Sequence, residues 1–496
     1  MAVTRLLPAW RRSRRTEPDR SDPFVAALVA ALSPDRVRVD ATERRLVAHD
    51  ASIFGGGRAG PVVFPETVAE VQAVVRLAAE YDRALVPRGA GTGLAGGAIP
   101  LAGAVVVSTT RMNRLLSVDP VNRRAWVQPG MINLDLTRAV AAHGLHYAPD
   151  PSSQQACTIG GNVANNSGGP HCLAAGVTSQ HVLAVEVVLP DGRVVVLGGE
   201  DPEPPGLDLR GVYVGSEGTL GITTAVLVRL TPDPPAVTTL LFGFDTVTDG
   251  AATVGAVIAA GIVPAALEMM DRRITRAVEE FAHAGYPTDV EAVLLVELDG
   301  PPGRVAAEAA AVERIARDHG AGYVRVAADD AERALLWKGR KNAFGAISRV
   351  KPDYYLHDTV VPRRRLVEVL EAVYRIAEAH DVIVMNVFHA GDGNLHPLLI
   401  YDAREPGAVE RVHAAGAEII EASLAAGGVL SGEHGIGVEK RDFMNLFFSD
   451  VDLEQQARVR SAFDPACRAN PGKVLPAGHS CADIAALTAV PDGVWV

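Results

Sequence analysis

The sequence predicts an α+β fold in two parts, the second built around a ferredoxin-like unit. Three observations predict it. Short runs rich in Val, Ile and Leu alternate with stretches of helical period. "TPDPPAV", Thr231 to Val237, gathers three prolines and marks a boundary. Beyond it the order strand, helix, strand, strand, helix, strand is a βαββαβ pattern.

In chain order, residues 1–22 read as a disordered basic tail. Six arginines precede a nine-residue apolar run, Phe24 to Leu32. Glu17, Asp19 and Asp22 interrupt what would otherwise resemble a signal peptide. Asp22-Pro23 reads instead as a helix cap with proline at the first helical position. Nine residues are too few to span a bilayer, so no transmembrane segment is expected. The arginines suit peripheral attachment to anionic lipid at the inner face of a membrane. The first domain is expected over 23–235, with its core from about residue 57. "PETVAEVQAVVRLAAEYDRALVPRG" opens with a Thr67…Glu70 capping box and continues as an amphipathic helix. A strand runs through Leu85, and another is "AVVVS". "VLAVEVVLPDGRVVVLGG" reads as a hairpin turning at Asp191-Gly192.

The second domain is expected over 236–477, with a tail at 478–496. Its strands are "VTTLLFGF", "AALEMM", "AVLLVEL" and "GYVRVA", and its helices cover 247–260 and 303–319. A helix through "RALLWKGRKNAF" follows, then a hairpin, a helix to about Ala426, and "SGEHGIG".

Gly91, Gly93 and Gly96 match GxGxxG, but Pro100 and the strand "AVVVS" leave no room for the helix a nicotinamide-type site requires. Five glycines in nine residues, beside Arg88, suit an anion nest of backbone N–H groups. A Cβ at Gly91 or Gly93 would block close approach or force an unfavourable φ. "DPSSQQACTIGGNVANNSGGP" and "GSEGTLGIT" are two further polar, glycine-rich stretches. The three together suit one extended anionic dinucleotide.

In "VFHAGDGNLHP", Asp392-Gly393 is a strong hairpin signal. As the two central turn residues they would set His389 directly opposite His396, with Cβ atoms about 4.5–5.5 Å apart. The pair reads either as ordinary hydrogen-bonded histidines or as two ligands of one ion. "SGEHGIG" adds Glu433 and His434 among Gly432, Gly435 and Gly437. Two histidines and a carboxylate leave open positions, as catalytic rather than structural zinc does. That frees His434 to act as a base.

A net charge of −12 argues against a nucleic-acid surface. At 48% hydrophobic, the chain has ample material for a large core. Cys157, Cys172, Cys467 and Cys481 form no CxxC pair, so neither a disulfide framework nor an iron–sulfur cluster is indicated. The setting reads as reducing and cytoplasmic.

"PRGAGTGLAGGA", "DPSSQQACTIGGNVANNSGG", "GSEGTLGIT", "FHAGDGNLHP" and "SGEHGIGVEK" occur in this order. With these motifs the chain resembles the FAD-linked oxidases of the vanillyl-alcohol-oxidase superfamily, in the D-2-hydroxy-acid dehydrogenase branch. The resemblance runs from about Ala41 to Leu475. "RKNAFGAISRVKPDYYLHDTVVPRRRL" is most similar to the flavin subunits of glycolate oxidases. The resemblance implies a PCMH-type FAD-binding domain followed by an FAD-linked oxidase C-terminal cap.

It also implies site residues. The pyrophosphate loop would be Pro87, Arg88, Gly89, Ala90, Gly91, Thr92 and Gly93. The second FAD segment would use Asp150, Pro151, Ser152 and Ser153, then Thr158, Gly160, Gly161 and Asn162. The third would use Glu217, Gly218, Thr219, Gly221 and Ile222. The first loop lacks the histidine that often carries covalent flavin, so non-covalent FAD is expected, and His171 is assigned to the wall. By position, His389, His396 and Glu433 would bind a divalent ion, zinc by ligand type, with manganese or iron also fitting. His434 would be the base, and Arg340 would bind the substrate carboxylate. His357 departs from the pattern, either as a further site group or as an exposed residue.

The implied reaction oxidises glycolate or D-lactate to a 2-oxo acid. Electrons would leave to iron–sulfur and second flavin-domain partner subunits and on to quinone. The alternatives are a D-2-hydroxyglutarate dehydrogenase, or a non-redox transferase or metal-binding protein on the same fold.

Overall fold

Capping chemistry sets the first helices. The Asp22 carboxylate accepts from Phe24 N at the start of helix Pro23–Leu32. Thr67 and Glu70 exchange both bonds of a capping box at the start of Val68–Glu80, satisfying two orphan donors of its first turn. These elements belong to a computed structural model that describes residues 21–479, apart from 56, 102 and 202–204. The arginine-rich tail and the C-terminal tail, save residues 21, 22, 478 and 479, lie outside the described residues.

From strand Leu85–Arg88 the chain reaches strand Val105–Ser108 without an intervening helix, as the rejection of a Rossmann motif expected. These two strands pair in parallel within a four-stranded sheet. A five-stranded antiparallel sheet follows, with Ile222–Arg229 at its centre. The hairpin at Asp191-Gly192 forms, with Val188 opposite Val194.

The larger sheet begins at Ala236–Phe244. Its first four strands stand in the order fourth, first, third, second, all antiparallel, which is the ferredoxin-like arrangement. Strand Ile383–His389 extends it beside Ala266–Asp271. The strands are buried on both faces, which explains their nearly continuous apolar runs. Helices Val247–Ala259, Pro302–Asp318, Leu366–Ala379 and Ala408–Ala425 cover one face. Arg272–Ala282 and Asp330–Lys341 cover the other. The first of this second pair is absent from the sequence reading, although Ile274, Ala277, Val278 and Phe281 have helical spacing and Asp271 caps its start.

The histidine hairpin differs in register from the expectation. His389 stands opposite Asn394, and Asn386 opposite Pro397. Ala390 to Gly393 form a four-residue loop, so Asp392-Gly393 is not an isolated two-residue turn. The shift relative to the expected pairing is two residues, and side chains alternate with period two. His396 therefore keeps the expected face but lies diagonal to His389.

Cys157 and Cys172 are free thiols, and Cys467 is disulfide-bonded, which the cysteine spacing did not indicate. Among the described residues no helix is long and apolar enough to cross a membrane.

The loop closing the hairpin offers a stability test. Gly393 has φ +71°, and a Cβ there would fall 2.3 Å from the Val361 carbonyl oxygen. Gly393→Ala should lower stability by about 1–3 kcal/mol. Gly255→Ala, at an exposed position in helix Val247–Ala259 with nothing within 4 Å, should raise it by about 0.5–1 kcal/mol. Denaturant melts of both variants check the pair.

Candidate active site

Glycine-rich segments line one end of a cavity shared by both halves of the chain. It has a volume of about 460 Å³, within the range of small-molecule sites. Pro87 and the loop Gly89 to Gly93 line it, facing Pro151, Ser152, Ser153 and Thr158. Gly161, Asn162, Glu217 and Gly218 complete this end. Three glycine-rich segments far apart in sequence thus meet, as expected for one extended ligand. Arg88, Gly160, Gly221 and Ile222 line a smaller cleft that shares Pro87, Gly89, Gly161 and Gly218 with the cavity.

Close approach explains some of the glycines. A Cβ at Gly89 would lie 2.3 Å from Thr158 Oγ1, which caps helix Ile159–Asn165 by accepting from Gly161 N. Gly91 has φ +74°. Gly93 does not have positive φ, contrary to that part of the expectation, and a Cβ there meets nothing within 4 Å. It would project into open cavity.

Some expected residues are engaged elsewhere. Asp150 lines neither space: its carboxylate meets His171 Nδ1 at 2.9 Å and Lys341 Nζ at 3.7 Å. Thr219 Oγ1 donates to the Ser216 carbonyl. Glu217 reaches the cavity, but its two oxygens accept from Ile436 N and Gly437 N at 2.7 and 2.8 Å. Burial raises its pKa to about 7, against those bonds and nearby lysines. His171 is not a cavity wall. It bridges Asp150 and Glu297 and lies against Trp337.

At the opposite end three imidazoles surround one carboxylate oxygen. Glu433 Oε1 lies 3.3 Å from His389 Nε2, 3.2 Å from His396 Nε2 and 3.6 Å from His434 Nε2. The His396 and His434 rings stack in parallel, 5.0 Å apart. The outer nitrogens are oriented too. His389 Nδ1 meets Glu268 Oε1 at 2.7 Å, and His396 Nδ1 donates to the His357 carbonyl at 3.2 Å. A ring whose Nδ1 carries the proton presents an Nε2 lone pair, the form that ligates metal. Burial opposes a charge on His389, yet Glu268 and Glu433 outweigh it and raise its pKa to about 10. Burial likewise opposes the Glu433 charge, and the imidazoles draw its pKa well below the ordinary carboxylate range. The pocket thus favours a cation.

Two overlapping groups have metal-binding spacing, His389–His396–Glu433 and Asp358–His396–His434. Asp358 is fully buried and already engaged: Ser431 Oγ donates to it at 2.6 Å and His434 N at 2.9 Å. Gly432 N, Glu433 N and Lys440 Nζ also reach it. The first group is the one with donors to spare, and its chemistry fits a divalent ion.

Arg340 enters from helix Asp330–Lys341 and is 1% exposed. Its Nη2 meets Glu268 Oε2 at 2.5 Å, while Nε and Nη1 are buried without a protein partner. Leu94, Phe344 and Tyr354 line the cavity with it. His357 is fully buried, its ring 4.2 Å from that of Tyr355, and it does not line the cavity. It is neither of the two things expected of it. Lys351 pairs with Glu405 at the surface.

Sequence reasoning missed Glu268 and Asp358. Glu268 had a usable signal, a charge inside the apolar run "AALEMM". Asp358 had none, because its main partners are backbone N–H groups.

Residues 59–198 match the family described as "FAD binding domain", and residues 233–474 the one described as "FAD linked oxidases, C-terminal domain". "Glycolate oxidase subunit GlcD" of Escherichia coli (strain K12) is 46% identical over 448 residues, 90% of either chain. "D-lactate dehydrogenase" of Anaerostipes hadrus is 33% identical over 453 residues, covering 89% of this chain and 95% of that one. Among solved structures, p-cresol methylhydroxylase with bound substrate superposes with a TM-score of 0.78 at 17% identity, over 91% of this chain and 96% of that one. It shares the fold. The glycine-walled cavity fits the FAD these matches imply.

Gly93→Val tests the cavity assignment. A Cβ at Gly93 meets no protein atom within 4 Å, so the variant should fold with an unchanged circular dichroism spectrum. It should carry little visible flavin absorbance after purification. Full flavin occupancy would remove the loop from the cofactor site.

Proposed function

The chain belongs to the FAD-linked oxidases, and from that premise we propose that it oxidises a small 2-hydroxy acid, glycolate or D-lactate, to the 2-oxo acid. It is an FAD-dependent oxidoreductase. The observation that carries the substrate reading is the pair of unpartnered nitrogens on buried Arg340, in the same cavity as His389, His396 and Glu433. Glu268 balances the Arg340 charge, but two buried donors stay unsatisfied, and a substrate carboxylate would complete them.

When bound, FAD supplies the hydride acceptor, and a divalent ion held by His389, His396 and Glu433 supplies Lewis acidity. The chain's own residues do the rest. Arg340 pairs with the substrate carboxylate and fixes its orientation. His434 Nε2 takes the hydroxyl proton. Burial opposes the resulting imidazolium, but Asp358 and Glu433 outweigh it and raise the His434 pKa. Parallel stacking on His396, and the bond from His434 N to Asp358, hold the base in place. FAD is held non-covalently, consistent with the absence of histidine from the glycine loop.

The wall beside Arg340 supports a short substrate. Leu94, Phe344 and Tyr354 offer no second cation there. Lys341 lines the cavity, but its ammonium lies 3.7 Å from the Asp150 carboxylate, and Lys351 and His357 do not line the cavity. Two relatives carry names that specify glycolate and D-lactate. One is named as a subunit, which supports electron transfer to partner subunits, iron–sulfur and flavin-bearing, and then to quinone. A cytoplasmic location, peripheral at the inner membrane face, agrees with that route.

We expect a kcat/KM for glycolate or D-lactate at least tenfold above that for D-2-hydroxyglutarate with an artificial electron acceptor. The reverse order would replace the substrate assignment. For the metal reading, His389→Ala and His396→Ala should retain FAD, lose stoichiometric metal and fail to bleach their flavin anaerobically with hydroxy acid. His434→Ala should keep metal and FAD yet lose bleaching. Metal analysis and anaerobic spectra decide it. Full-rate bleaching by thoroughly chelated, metal-free wild type would show that these histidines serve another purpose.

A further inference from the structure

One buried carboxylate joins the anion receptor to the metal seat. Glu268 occupies the middle of strand Ala266–Asp271, on the face where its same-side neighbours are Ala266 and Met270. A carboxylate in that apolar row, 1% exposed, is strongly disfavoured unless paired on both oxygens. Both are paired. Glu268 is the register partner of His389 on the adjacent antiparallel strand, so the two side chains share a face. Its Oε1 lies 2.7 Å from His389 Nδ1 and its Oε2 2.5 Å from Arg340 Nη2.

We propose that Glu268 is a positioning residue that couples Arg340 to His389, so that the carboxylate receptor and one metal ligand are set as a unit. Through Oε1 it fixes the ring orientation of His389 and directs Nε2 toward Glu433. Through Oε2 it tethers one end of the guanidinium and leaves Nε and Nη1 for the substrate. An arginine that acted on the metal seat only as a nearby charge would change metal affinity equally with or without Glu268. In this arrangement the effect of Arg340 passes through Glu268 and is lost with it. The inference rests on the metal reading above and adds to it.

The test uses the full-length, FAD-loaded protein with no hydroxy acid present. Zinc is titrated against a competing chromophoric chelator, with flavin content and melting temperature measured alongside. Glu268→Gln keeps the shape and an acceptor for His389 Nδ1 but loses the ion pair. It should weaken zinc by roughly 10–100-fold while retaining FAD. Arg340→Met should change zinc affinity at least threefold in the wild-type background and leave it unchanged in the Glu268→Gln background. Wild type that binds no zinc, manganese or iron would overturn the metal reading and this inference with it. Wild type that binds zinc, beside a folded Glu268→Gln that binds it equally well, would overturn the coupling alone. Equal effects of Arg340→Met in both backgrounds would do the same. Should Glu268→Gln fail to fold, Glu268→Asp, which keeps the charge but cannot span both partners, replaces it in both backgrounds, and equal effects of Arg340→Met with and without it reject the proposal.

Discussion

The site depends on Asp358. Its carboxylate has no contact with solvent, and it gathers Ser431 Oγ, the N–H groups of Gly432, Glu433 and His434, and the Lys440 ammonium. Burial by itself would push its pKa up. The surrounding positive charges, Lys440 first, draw it far below the ordinary value. A glycine-rich segment such as "SGEHGIG" has little conformational preference of its own. Anchored on one anion, it has one conformation, and that conformation sets Glu433 and His434 among the hairpin histidines.

A second anion fastens the same loop to the other half of the molecule. Glu217, from "GSEGTLGIT", accepts from Ile436 N and Gly437 N. Asn470 then links the carbonyls of Glu217 and Gly97, and Lys473 reaches the carbonyl of Ile99. The C-terminal segment thereby returns to the glycine-rich loop of the first half. The cavity owes its shape to this closure, because its two ends come from different halves of the chain. The glycine-lined end suits a dinucleotide, and the imidazole end suits a cation and an anionic substrate.

The large sheet supplies the remaining geometry. Glu268, His389 and the helix bearing Arg340 all belong to one face of it, and the opposite face is filled by helices. Rigid strands buried on both sides hold Glu268 and His389 more firmly than a surface loop would.

Local chemistry was legible in the sequence. The capping box at Thr67–Glu70, the missing helix after Gly97 and the βαββαβ order depend on residue types at short spacing, whereas the joining of Glu433, 44 residues from His389, to the hairpin histidines rested on the family resemblance. The period-two argument also depends on short spacing, and it kept both histidines on one face even though their register was misjudged. The sequence did not disclose that Glu217 clamps a loop, that Asp358 anchors it, or that Glu268 joins Arg340 to His389. Glu268 and His389 are 121 residues apart, and Glu217 and Ile436 are 219 apart. Which donors a buried carboxylate meets is decided by strand register and by which backbone N–H groups the folded chain brings to it. No local pattern encodes either, so the tertiary structure alone determined the network that positions the chemistry the motifs announced.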